Sequence, residues 1–227
     1  MEFSRYALYF APPAEAEWTR LAKAWLGWDM DLGAEVAHPE APGVDVAEIT
    51  ARPRKYGLHG TIKPPFRLAE GRSFDQLAEA AEALCARLAP VTLEGLAVER
   101  LGGFLALRPV GDAGALGALA GACVEGLDAF RAPAPEAELE RRRKAGLSAE
   151  QEAHLLRWGY PYVFDQFRFH VTLSRRLTDA EAAPALDWLE AHLAPLLPRP
   201  FHIPDMGLVG EGADGRFRLI HRYTHSG

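Results

Sequence analysis

The sequence predicts an α+β fold built of two lobes, and three observations carry that expectation. Helical and strand-like apolar patterns are mixed along the 227 residues, and the last strands read as an antiparallel hairpin, which favours α+β over a doubly wound parallel sheet. The stretch APAP at 132–135 reads as a boundary between lobes. Two segments, YGLHGTIK at 56–63 and FRFHVTLS at 167–174, share one frame: aromatic, any, apolar, His, any, Thr, aliphatic, polar. Two copies of one supersecondary unit facing each other would bring both histidines into a central cleft, with the helices outside.

The elements follow in chain order. Residues 4–11, SRYALYFA, have strand content, and Pro12-Pro13 end the segment. Trp18, Leu21, Trp25 and Leu26 fall at helical spacing within 14–28. The Gly-, Pro- and Asp-rich residues 27–54 read as a long loop with a short helix near 44–50. A strand around His59 closes at Pro64-Pro65. Ser73 caps a helix marked by Phe74, Leu77, Ala81, Leu84, Cys85 and Leu88. Strands at 91–99 and 104–109 turn at Gly102-Gly103. An Ala/Leu-rich helix covers 112–130, and ELERRRKAG reads as an exposed helix. Ser148 caps a helix containing Leu155, Leu156 and Trp158. The second His-x-Thr strand, a helix over 179–193 and a hairpin turning near Asp214-Gly215 complete the chain.

Composition places this chain among globular proteins, with 48% hydrophobic and 25% charged residues. The apolar run Tyr6–Pro13 is too short for a signal peptide or a membrane span, so a cytoplasmic protein is expected. Cys85 and Cys123 lie in helix-like patterns and read as buried free thiols. The net charge is −6, but it is unevenly spread. Residues 52–72 carry six basic side chains against Glu70, and residues 141–178 carry eight against three acids, each +5, which leaves −16 elsewhere. Each positive segment contains one His-x-Thr stretch. A locally basic site on an acidic body favours a small anion over a long nucleic acid.

Successive side chains of a strand point to opposite faces, so His59 shares a face with Thr61, and His170 with Thr172. Leu58, Gly60 and Ile62, and Phe169, Val171 and Leu173, then face a core. Imidazole titrates near neutrality, and two across one pocket divide the acid and base roles. Threonine hydroxyls two residues on can donate to the non-bridging oxygens of a phosphate. Lys63 shares the face of His59 by the same alternation and is a candidate anion contact. Tyr56, and Tyr160 or Tyr162, are candidates to stack on a ring or donate to phosphate. Arg175 and the cluster Arg141–Arg143 are candidates for a second, terminal phosphate. His38, His154, His192, His202, His221 and His225 lack the threonine partner and read as surface or structural groups. No cofactor is expected, and two histidines with no third ligand nearby make a poor metal site.

The motifs His59-Gly60-Thr61 and His170-Val171-Thr172 resemble the paired His-x-Thr/Ser motifs of the 2H phosphoesterase superfamily. The surrounding wording, RKYGLHGTIKPPF and WGYPYVFDQFRFHVTLSRRL, is similar to a bacterial branch associated with phosphonate catabolism. The resemblance covers most of the chain and implies a bilobal α+β duplication spanning 1–227, with two antiparallel sheets facing a central cleft and the motifs, 58–62 and 169–173, on central strands. It also implies metal-independent opening of a cyclic phosphodiester, with His59 and His170 catalytic and Thr61 and Thr172 binding phosphate. A small phosphorylated sugar or nucleotide is the expected substrate, and the branch points to 5-phosphoribosyl 1,2-cyclic phosphate. RNA 2′,3′-cyclic ends and a non-catalytic phosphosugar-binding role remain open, as does the oligomeric state. Gly60 departs from the motifs, which often carry alanine or a larger apolar residue there, and reads as slightly weakening the strand.

Overall fold

In a computed structural model that describes residues 3–227, eleven strands and seven α-helices follow one another. The first half runs β1 (Tyr6–Phe10), α1 (Glu17–Leu26), β2 (Trp28–Asp29), β3 (Ala34–Glu35), α2 (Val46–Arg54), β4 (Gly60–Phe66), α3 (Phe74–Cys85), β5 (Val91–Leu93), β6 (Gly95–Leu101) and β7 (Phe104–Val110). The second runs α4 (Gly114–Gly126), α5 (Glu136–Arg143), α6 (Ala149–Trp158), β8 (Val171–Thr172), α7 (Asp179–His192), β9 (Phe201–Ile203), β10 (Asp205–Glu211) and β11 (Phe217–Thr224). Reciprocal capping boxes start three of the helices: Ser73 with Gln76, Ser148 with Gln151 and Thr178 with Glu181. Gly27 and Gly159, both at positive φ, end α1 and α6.

The fold is α+β. Seven strands form one antiparallel sheet in the order β11-β10-β1-β4-β8-β7-β6, while β2 pairs with β3 and β5 with β9. The large sheet has two halves, β11-β10-β1-β4 and β8-β7-β6. Between β4 and β8 one residue pair joins them, Gly60 opposite Val171. The halves are interleaved along the chain, because β6 and β7 precede the APAP stretch yet join β8, while β10 and β11 return to β1. The APAP stretch therefore does not divide the halves; Ala132 donates its N–H back to Arg67.

The sheet's two faces bury different material. Leu58, Ile62, Phe169, Val171 and Leu173, the residues that flank the motif positions, are all buried in the main core with side chains of α1, α3, α4 and α7. A smaller cluster, including Ala7, Tyr9, Ala11, Val209 and Phe217, gathers apart from it, with Tyr56 packed against it. The alternation read from the sequence thus separates a helix-packed face from a cleft face.

Some boundaries differ from the sequence reading. The strand of the first motif runs through Pro64-Pro65 to Phe66, with register shifts against β1 that accommodate residues lacking an N–H. The expected strand 91–99 breaks at Glu94, so that β5 leaves for β9 while β6 joins the main sheet. The loop after α1 begins with an unforeseen hairpin, β2–β3, folded against Phe217 through the Trp28 indole N–H, 3.0 Å from the Phe217 carbonyl.

Gly60 is required rather than tolerated. A Cβ there would lie 2.3 Å from the Phe169 ring, so the glycine makes the hollow that seats the aromatic preceding the other histidine. Gly60→Ala is expected to destabilise the protein by about 1–3 kcal/mol through overpacking, measured as a lower urea midpoint at unchanged slope. Unchanged stability would show that the ring has room to move.

Candidate active site

Pairing of Gly60 with Val171 fixes the geometry of the four motif side chains. Antiparallel register places His59 opposite Thr172 and Thr61 opposite His170 on the flanking positions. Such cross-strand neighbours have Cβ atoms about 4.5–5.5 Å apart. The two histidines thus lie on a diagonal of one small square, and the two threonines on the other.

Each imidazole is held in the same way. Nδ1 of His59 lies 2.9 Å from the carbonyl oxygen of Gly57, and Nδ1 of His170 lies 2.8 Å from that of Arg168. A carbonyl only accepts, so each Nδ1 carries the proton and donates, which leaves Nε2 as the basic nitrogen. The Thr61 hydroxyl is 3.1 Å from Nε2 of His59 and donates to it. Tyr9, fully buried on β1, stacks on the His59 ring at 3.9 Å between centroids, and Tyr56 sits 5.9 Å away. Phe104 approaches His170 at 5.6 Å.

Both histidines resist protonation. Loss of water, and then the charge of His170, push His59 from its ordinary 6.5 down to about 4. Desolvation, and then the Arg108 cation, also lower His170. Arg108 follows Leu107, the β7 partner of Val171, and so stands across from His170.

The other candidate residues separate. Tyr56 belongs to the cleft, stacked on Phe217 at 5.3 Å with the Lys55 ammonium 4.5 Å above its ring. Tyr160 packs edge-on against Tyr162, under the Arg142 guanidinium at 4.8 Å. Lys63 is not an anion contact. Ile62 is an extra residue in the register between Thr61 and Lys63, and this bulge turns the lysine away from the histidine face. Lys63 is 2% exposed, its Nζ donates to the Val124 carbonyl at 2.9 Å near the end of α4, and burial lowers its pKa to about 8.

Arg175 is likewise engaged elsewhere. It pairs with Glu48 and Glu181, donates to the Arg176 carbonyl, and clips α2 to the start of α7. In the 141–143 cluster, Arg142 donates to Glu138 and Arg143 to Glu136 and Glu152, while Arg141 lies 4.0 Å from Glu138. Tyr9 and Arg108 are the cleft residues that sequence reasoning missed. Tyr9 was legible only as one of two tyrosines in a strand, and Arg108 became visible only once β7 was known to lie beside the second motif. Among the described residues, no group of three or more His, Cys, Asp or Glu side chains converges as metal ligands would.

Fold and site together define an α+β protein with a paired His-x-Thr cleft. The family described as "Protein of unknown function (DUF1045)" matches residues 61–218, and the chain belongs to it. Two curated relatives are named ribose 1,5-bisphosphate phosphokinase PhnN. The one from Janthinobacterium sp. (strain Marseille) is 42% identical over 182 residues, covering 79% of this chain and 40% of the relative. The one from Laribacter hongkongensis (strain HLHK9) is 39% identical over 196 residues, covering 86% and 46%. The chain therefore spans less than half the length of either. Among solved structures it is similar to E. coli LigT complexed with phosphate, at 14% identity and TM-score 0.46 over 100% of both chains. It is also similar to TT0787 of Thermus thermophilus, at 16% identity and TM-score 0.47 over 98% of both. A structure described as a phosphoesterase aligns at 15% identity with TM-score 0.43, again over 100% of both chains. The fold assignment itself rests on the strand order above.

Two measurements check this site. A histidine depressed below its unfolded value opposes folding as pH falls: stability is full above pH 6.5 and is lost toward about pH 4, because the unfolded chain takes up the proton first. NMR titration is expected to keep the His59 ring neutral at pH 5.5, and His59→Gln to flatten the loss of stability between pH 6.5 and 4.5; titration of His59 near its ordinary value would contradict the buried, stacked environment. Lys63→Met is expected to lower stability by about 1–3 kcal/mol by leaving the Val124 carbonyl without its donor. A change in anion affinity without a change in stability would return Lys63 to the cleft.

Proposed function

We propose that the protein is a metal-independent cyclic phosphodiesterase that opens a small cyclic phosphate by two-histidine acid/base catalysis. The observation that carries the reading is the diagonal pair of imidazoles, each with Nδ1 fixed on the carbonyl two residues back and Nε2 left for chemistry. His59 is the stronger candidate for the base, since it stays neutral down to about pH 4. Its Nε2 takes a proton from water as the water oxygen bonds to phosphorus. The bond from phosphorus to one ring oxygen breaks on the opposite side, and that oxygen takes the proton of His170. Thr61, whose hydroxyl is released from Nε2 of His59 when water takes its place there, and Thr172 donate to the non-bridging oxygens, where charge accumulates. The products are a hydroxyl and a phosphomonoester, and the two imidazoles have exchanged protonation states.

The substrate we favour is a phosphorylated sugar of the kind represented by 5-phosphoribosyl 1,2-cyclic phosphate. The relatives' name, with its ribose bisphosphate, supports a ribose phosphate as the carrier. The kinase part of that name has less support in these residues. The chain contains no G-x-x-x-x-G-K-[ST] loop. Its glycine-rich turn, GEGADG at 210–215, has a structural explanation: Gly215 takes a positive φ, and side chains at Gly210 and Gly212 would strike Phe3 and Arg218. The matched region is less than half of either relative, so the phosphokinase activity fits the remainder better.

His59→Ala and His170→Ala are each expected to lower turnover of cyclic phosphates by at least about 10²–10⁴-fold while melting normally, and EDTA to leave the rate unchanged. Normal turnover by either variant, or a loss with chelator that zinc or manganese restores, would overturn the reading. The profile of kcat/KM is expected to be a bell on the acid side of neutrality. It rises as His59 loses its proton near pH 4 and falls as His170 loses its own below 6.5. A rate flat from pH 5 to 9 would remove the twin imidazoles from the chemistry.

A further inference from the structure

A cavity of about 740 Å³ opens beside the start of β8, between β7, residues 164–169 and the outer side of α4. Phe164, Phe167 and Phe169 form one wall, and Gly117, Ala118 and Gly121 form the facing one. The small residues make the space: a Cβ on Gly121 would already reach within 3.2 Å of the Phe164 ring. Two cations, Arg108 and Arg168, line it against one acid, Glu125. His170 itself does not line the cavity, but both cations that do are its neighbours: Arg108 stands opposite His170 at one strand spacing, ~4.8 Å, and Arg168 precedes it by two residues, on the same face by strand alternation.

Both arginines are anchored yet incompletely paired. Arg108 donates one N–H to Glu99 at 3.1 Å, and its Nε is buried without an acceptor among the described residues. Arg168 donates from one terminal nitrogen to the carbonyls of Asp165 and Phe167, both at 2.7 Å. The arginines the sequence had offered for a second phosphate, Arg175, Arg142 and Arg143, already meet carboxylates. A ligand rich in acceptors supplies what Arg108 and Arg168 lack, and the phenylalanines suit the apolar face of a sugar.

We propose that this cavity is a second subsite, which selects cyclic sugar phosphates carrying an additional, terminal phosphomonoester by binding that group between Arg108 and Arg168. The proposal rests on the cyclic phosphodiesterase reading for its place beside a reacting phosphate, and its test separates the two. The kcat/KM of the full chain is measured for ribose 1,2-cyclic phosphate with and without the 5-phosphate. Binding of ribose 5-phosphate is measured by calorimetry. The 5-phosphorylated compound is expected to be preferred by at least about tenfold, the size of one charge-assisted pair of hydrogen bonds. Arg168→Gln and Arg108→Gln are each expected to bring that ratio toward one and to weaken ribose 5-phosphate by a similar factor. Ala118→Trp, which adds bulk to the cavity from α4 and leaves both arginines in the sequence, is expected to do the same and covers the case in which an arginine variant fails to fold. Turnover with no preference, or with a preference that none of the three substitutions reduces, overturns the subsite and leaves the dyad standing. If neither compound turns over, the catalytic reading fails, and calorimetry decides the subsite alone. Binding weakened by the substitutions supports it; absent or unaltered binding overturns it.

Discussion

The site depends on one contact, the pairing of Gly60 with Val171. Two sheet halves, each with its own hairpin, meet at that pair, and everything that brings the two motifs together follows from its register. A shift by one residue would turn one histidine and its threonine into the core. Packing on the reverse face holds the register: the Phe169 ring fills the hollow above Gly60, and Leu58, Ile62, Val171 and Leu173 are buried around it. Hydrogen bonds from outside the seam add to this. The Trp25 indole donates to the Leu173 carbonyl at 2.8 Å, and the Leu105 N–H donates to the Ser174 hydroxyl at 2.9 Å. A short pairing of central strands is thus made rigid by side chains rather than by ladder length.

What was legible in the sequence was whatever obeys a local period. Two-residue alternation identified the motif faces correctly, and helical patterning located α3, α6 and α7, the first two with their serine caps. The failures have physical causes. Lys63 obeys the alternation on paper, but the extra residue in the register next to it, which nothing local announces, turns it into the core. Arg175 and Arg141–Arg143 look available in a list of cations, yet their carboxylate partners, Glu48 and Glu181 for one and Glu136, Glu138 and Glu152 for the others, are set by helix packing. Tyr9 and Arg108 enter the site only through strand neighbours far away in sequence.

The same comparison changes the electrostatic picture. Charge counted along the chain gave two positive segments, one around each motif, but charge in space is different. Arg67 and Arg142 meet Glu138, Arg157 meets Asp128, Arg143 meets Glu136 and Glu152, and Arg175 meets Glu48 and Glu181. Much of the apparent basic surplus is neutralised within one or two side-chain lengths, where pairing is strongest. The field at the histidines is then set by few groups, and Arg108 is the cation that depresses His170.

A resting cleft with two neutral imidazoles has a consequence for how it works. The proposed ring opening needs one of them protonated, and the free protein disfavours that state through desolvation at both rings and repulsion from His170 at His59. A phosphate diester between them brings a negative charge into the same poorly hydrated space, and an anion nearby favours the charged form of a histidine. Anion binding and proton uptake at His170 are therefore coupled, and the coupling is reciprocal: whatever factor the anion adds to the proton's affinity, the proton adds to the anion's. Neutral ligands receive no such help. Under the proposed reaction, the substrate's own charge would assemble the acid that opens it, so preference for an anionic ligand and readiness for proton transfer would both arise from the same depressed imidazoles.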